Sequence, residues 1–142
     1  MISRTTLGLR SEAAEDRSPL LMIDEFFDGN RDEESLAPNQ WGFGRPAPAE
    51  IAERLRLLEG RAEVAWIRVE LHPEWGEEFG DAPAAESIAI CTGLSPESVE
   101  ALLDTASLQS DGVMVGFTSP EEDLCDIPPI PAGARVLSVV WD

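Results

Sequence analysis

The stretch Pro48–Leu71, PAEIAERLRLLEGRAEVAWIRVEL, changes its hydrophobic period halfway along. Up to Glu59, apolar residues return every three or four positions. Ile51, Leu55 and Leu58 form one stripe, with Ala52 and Leu57 flanking it. That spacing predicts an amphipathic helix. Pro48 suits the first helical position, where its missing N–H is not needed, and Gly60 suits the exit. Glu50 and Arg54 stand four apart, in the favourable order for a helical ion pair. From Val64 the period drops to two. Ala65, Ile67, Val69 and Leu71 face one way, and Val64, Trp66, Arg68 and Glu70 the other, which predicts a half-buried strand.

The same alternation of helix and strand continues downstream. SIAICT (87–92) reads as a strand. Ser95 caps a second helix with Pro96 at its first position, and Val99, Leu102, Leu103 and Ala106 are its apolar stripe. GVMVGF (112–117) is a strand, residues 118–133 are a proline-rich surface loop, and RVLSVVW (135–141) closes the chain as a strand. Upstream, Ser35–Ala37 reads as a short strand before Pro38. The order is then strand, helix, strand, strand, helix, strand. This predicts an α+β domain, a ferredoxin-like β-α-β-β-α-β sandwich with an extra C-terminal strand. A short helix is expected before it within residues 18–30, capped by Ser18 with Pro19 behind it and leaving through Gly29. Residues 1–17 read as a mobile polar arm with a short strand at 7–9. The chain is therefore expected to form one domain over 18–142.

Composition narrows the function. The 142 residues carry 28 acidic and 10 basic side chains, for a formal charge of -18. All ten basic side chains are Arg, and there is no Tyr. Such a surface repels phosphate backbones and anionic lipid, so neither nucleic acid nor membrane is an expected partner; a basic protein is. No secretory leader or membrane-spanning run is read, so a cytoplasmic protein is expected. Cys91 and Cys125 match no metal or redox spacing and read as reduced thiols, Cys91 inside the sheet and Cys125 more exposed.

Two sites invite a metal reading. DGNRDEES (28–35) places Asp28, Asn30 and Asp32 at positions 1, 3 and 5 of a calcium loop. The defining Gly at 6 and Glu at 12 are Glu33 and Asn39, however. The segment reads instead as a helix exit and an acidic turn, with Asn30 and Asp32 bonding locally to backbone. His72, the single histidine, precedes Pro73 and a run of carboxylates. It is not part of a helical H-E-x-x-H pair and reads as an exposed histidine at a strand end. No cofactor is expected.

Nucleophilic catalysis would have to be built on His72 alone, and no G-x-S-x-G elbow occurs. The reading leans against an enzyme and names no catalytic residue. The alternative is an enzyme of small molecules or divalent metal using the acidic loops around His72. The binding candidates are aromatic: Trp41, Phe43, Trp75 and Phe79 in loops, and Trp66 with Arg68 on the sheet face away from the helices. A homodimer through the Trp66 face or the last strand is a further expectation.

The segment Phe26, Phe27, Gly29, Asn30, Asp32, Glu33 and Ser35, with Ser95, Pro96 and Glu97 and the closing Trp141, resembles a group of small acidic proteins from GC-rich bacteria. These share E/D-F-F-x-G-N-x-D-E-x-S near the start and V-W-D at the end. The resemblance spans about residues 20–142 and departs at Leu36–Gly42. It implies no catalytic residue and no cofactor. Together these readings describe an acidic protein-interaction domain, with an immunity- or antitoxin-like neutraliser of a basic partner as its sharpest form.

Overall fold

The computed structural model describes residues 1–36, 46–76 and 82–141. The chain is mixed α+β. In order it forms α1 (Arg4–Ala13), β1 (Ser18–Pro19), α2 (Ile23–Phe27), α3 (Pro48–Glu59), β2 (Val64–Leu71), β3 (Ala85–Thr92), α4 (Pro96–Leu103), β4 (Gly112–Val115), β5 (Leu124–Cys125) and β6 (Arg135–Val140). A one-turn 3₁₀ helix, Glu121–Asp123, leads into β5.

The main sheet is antiparallel, in the order β2-β3-β6-β4. In a pair of interlocked split β-α-β units, the order is second, third, first, fourth strand. Here the inner lane expected for the first strand is held by β6, the last. The expected strand at 35–37 contributes a single parallel bridge, Leu36 to Ala85, and Ala37 lies outside the described residues. Three residues before a proline offer few ladder bonds. Six residues of β6, with Val136 to Val139 all buried, fill the lane better.

The helix-side core joins Ile51, Leu55 and Leu58 of α3 to Ile67, Val69, Ile88, Ile90, Leu137 and Val139 of the sheet and to Val99 and Leu103 of α4. The expected Glu50–Arg54 pair forms at 3.3 Å. Leu57 and Leu102 stay exposed, and Leu108 takes the buried place expected of Ala106. A bulge between Val64 and Trp66 breaks the simple alternation of β2. Val64 therefore joins the helix-side core, and Ala65 is exposed.

The N-terminal segment departs most from expectation. In place of the mobile arm and short strand at 7–9 that the sequence predicts, Arg4–Ala13 is a helix, capped by the Ser3 hydroxyl, which accepts the Thr6 N–H. Leu7 is fully buried in the main core. Ser18 does not cap a helix. Ser18 and Pro19 pair in parallel with Leu124 and Cys125, and α2 starts only at Ile23. The Glu25 carboxylate accepts the Met22 N–H at its entry, and Gly29, at φ 74°, makes the expected left-handed exit. Arg10 ties these pieces together through Glu25 at 2.8 Å, Asp126 at 2.7 Å and the Leu20 carbonyl. Burial pulls its pKa down, but the hydrogen bonds and charges of Asp126 and Glu25 together outweigh that and raise it.

Candidate ligand cleft

The sheet face away from the helices is roofed by the loop after β4. Trp66, Ala89, Cys91 and Val136 pack there against Phe117, Ile127 and Ala134. Two side chains of β2 fasten the loop at its ends. The Trp66 indole N–H donates to the Pro129 carbonyl at 3.0 Å. Four residues on, and on the same face, the fully buried Glu70 carboxylate accepts the Ser119 N–H at 2.8 Å and the Thr118 N–H at 3.1 Å. The Ser87 hydroxyl, directly opposite on β3, adds a third bond at 3.1 Å. Such a carboxylate is buried without an opposite charge because its lone pairs are filled by hydrogen-bond donors.

Beyond the Glu70 fastening the surface opens into a cleft of about 650 Å³. One wall is the turn Glu15–Ser18, the other is Thr118–Leu124, and Leu71, Pro73 and Trp75 line the end of β2 between them. The β1–β5 pairing and the Arg10–Asp126 bridge hold the two walls together. Among the described lining residues, exposed Glu15, Asp16, Glu122 and Asp123 stand against one cation, Arg17. Glu15 and Asp16 hold left-handed backbone, φ 60° and 63°, an uncommon state for two consecutive non-glycine residues. The Ser18 hydroxyl lies buried at the cleft and makes no hydrogen bond.

Among the described residues, Trp75 is the one sequence candidate that lines this cleft. Trp66 is 6% exposed beneath the proline-rich loop, with Arg68 stacked 5.9 Å from its ring centre, so it offers no free anchor. Trp41, Phe43 and Phe79 lie outside the described residues. The last strand, β6, is paired on both sides and presents no edge to a second subunit.

His72 is buried rather than exposed. Its Nδ1 accepts the Glu74 N–H at 3.1 Å, and its Nε2 faces the Glu86 carboxylate at 3.6 Å. One ring nitrogen therefore closes the local turn, and the other stands against Glu86 of β3. Asn30 is buried too, and its amide donates to the Phe26 carbonyl and the Ser35 hydroxyl. Asn30 Oδ1 accepts the Asp32 N–H and Asp32 Oδ1 the Glu34 N–H, which are the expected local bonds. Among the described residues no group of three or more His, Cys, Asp or Glu side chains is placed to hold a metal. Cys125 is buried, not exposed as read. Burial raises its thiol pKa, Asp126 raises it further, and Arg17 and Arg10 pull the other way; burial alone raises Cys91.

The family model described as "Uncharacterized protein YfbO family" matches residues 2–139. The chain belongs to the YfbO family. No curated protein and no solved structure matches it. No helix among the described residues of this YfbO chain is long and apolar enough to cross a membrane.

The cleft itself was missed by sequence reasoning. Its acids come from segments about a hundred residues apart, and with 28 acids in the chain no pair stands out. Glu70 did leave a signal, as a carboxylate in a strand that is otherwise mostly apolar.

Proposed function

We propose that this YfbO-family protein is a non-enzymatic interaction domain that binds a basic protein partner. The observation that supports this best is the acid-rimmed cleft, with four carboxylates against one arginine among its described lining residues around Trp75, on a chain of net charge -18. A surface of this sign steers a basic partner into encounter, and a concave patch focuses the field. The chemistry at hand favours binding over turnover. The one imidazole is taken up by its own turn at Nδ1 and by Glu86 of β3 at Nε2, and both thiols are buried with raised pKa values, which lowers their thiolate fraction and reactivity. Neutralisation of a basic toxin-like protein in the cytoplasm is the most specific form of this proposal.

Affinity capture from the source organism at low salt, followed by titration of the purified partner at several salt concentrations, tests it. The expected partner has a basic isoelectric point, and its affinity falls steeply between 50 and about 300 mM NaCl, as charge-steered complexes do. A captured partner that is acidic, or an affinity indifferent to salt, rejects the proposal.

A further inference from the structure

We infer that the cleft takes an arginine side chain presented by the basic partner, clamped between the two acidic walls and set against Trp75. This deepens the proposed function and rests on it. The walls carry Glu15 and Asp16 on one side and Glu122 and Asp123 on the other, all exposed at their tips. A cation entering between them meets carboxylates from both directions. Among the described lining residues, Arg17 is the single one that opposes it. An anion would meet the reverse, four repulsions for one attraction, and is excluded on that count.

Three features select a guanidinium among cations. Trp75 lines the cleft half-buried, packed on the core, so its ring is already fixed. A guanidinium stacks on an indole and forks toward a carboxylate in one plane, whereas an ammonium is a point charge that keeps its water. The Ser18 oxygen, buried at the cleft with no bond made, leaves an acceptor there unsatisfied. The cleft, at about 650 Å³, exceeds a single side chain and lies in the range of small-ligand sites. It therefore has room for one anchored arginine with its flanking backbone. A bare metal ion fits poorly, because no metal-holding group of side chains occurs among the described residues.

The test titrates the full chain by calorimetry with three probes: acetyl-Gly-Gly-Arg-Gly-Arg-Gly-amide, the same peptide with citrulline for arginine, and spermidine. Citrulline keeps the shape and removes the charge. The wild type is compared with E122Q/D123N in the cleft and with E53Q/E59Q on the exposed side of α3, which changes net charge equally. Far-UV circular dichroism confirms that each variant is folded. The arginine peptide is expected to bind, to lose about tenfold in E122Q/D123N, and to change by less than about twofold in E53Q/E59Q. The citrulline peptide and spermidine are expected to bind at least about tenfold more weakly than the arginine peptide. Equal losses in the two variants, equal binding of citrulline, or spermidine as tight as the peptide would each overturn the inference. The two readings fail separately. A basic partner held equally by wild type and E122Q/D123N sinks the arginine cleft alone. Arginine-peptide binding without any salt-sensitive protein partner sinks the partner reading alone.

Discussion

Glu70 shows how much one residue can carry. Its two oxygens accept three bonds at zero exposure, and two of them come from backbone N–H groups of the loop that walls the cleft. Replacing it by Ala leaves those donors facing an apolar gap, and Thr118 and Ser119 are only half-buried, so water recovers part of the loss. The expected cost of Glu70→Ala is about 2–4 kcal/mol in urea denaturation, against roughly 1–2 for Glu70→Gln, which keeps an acceptor oxygen. Similar small losses for both would mean the carboxylate does not fasten the loop. The thiols give a second test at this scale. With no Lys and no Tyr in the chain, the two cysteines are the side chains that change charge between about pH 9 and 11. Both thiol pKa values are raised in the folded state. Above the unfolded thiol pKa the unfolded chain has lost protons that the folded chain keeps, so stability falls as pH rises through that window. The Cys91→Ala/Cys125→Ala variant is expected to flatten the alkaline slope of the urea midpoint. An unchanged slope would place its origin elsewhere.

Elements were legible where local period and punctuation agree with tertiary need. Pro48 to Gly60 announces α3, and Ser95-Pro96 announces α4, because caps and stripes are local facts. The lane of β6 is not local. RVLSVV reads as a strand at either an edge or the centre. Its central lane comes from pairing with β3 and β4, and the burial of Val136 to Val139 on both faces from the helices on one side and the loop after β4 on the other. Helix α1 resembles an arm in sequence because it holds two Thr and a Gly, poor helix formers, and a single deeply buried anchor. The legible signal was Ser3 capping the turn ahead of Leu7. Packing decides the matter, and it predicts a cost. Leu7→Ala removes a fully buried side chain from the main core and is expected to destabilise by about 2–4 kcal/mol. A mobile arm would tolerate the change within about 0.5 kcal/mol, so thermal or urea unfolding separates the two descriptions.

At the scale of the whole molecule, charge sets two responses to salt that run in opposite directions. The described ion pairs join side chains that are mostly a quarter or more exposed, such as Arg56–Asp24 and Arg61–Glu63. Each such pair contributes about 0–1 kcal/mol, which salt can only diminish. Against them stands the self-repulsion of a net charge of -18 on 142 residues, spread over distances that a Debye length of about 8 Å at physiological salt already cuts off. Screening that repulsion outweighs the loss of a few weak pairs. The urea midpoint of the free protein is therefore expected to rise between 20 and about 500 mM NaCl. The same salt weakens attraction between the acidic cleft and an arginine peptide, so its affinity is expected to fall over that range. Measured together on one preparation, the two slopes separate the sources of the acidity. A midpoint that falls with salt would show that the ion pairs, led by the Arg10 bridge across α1, α2 and the proline-rich loop, govern stability instead. A rising midpoint with salt-independent peptide binding would mean the charge serves only the free chain and that the cleft recognises its ligand by shape.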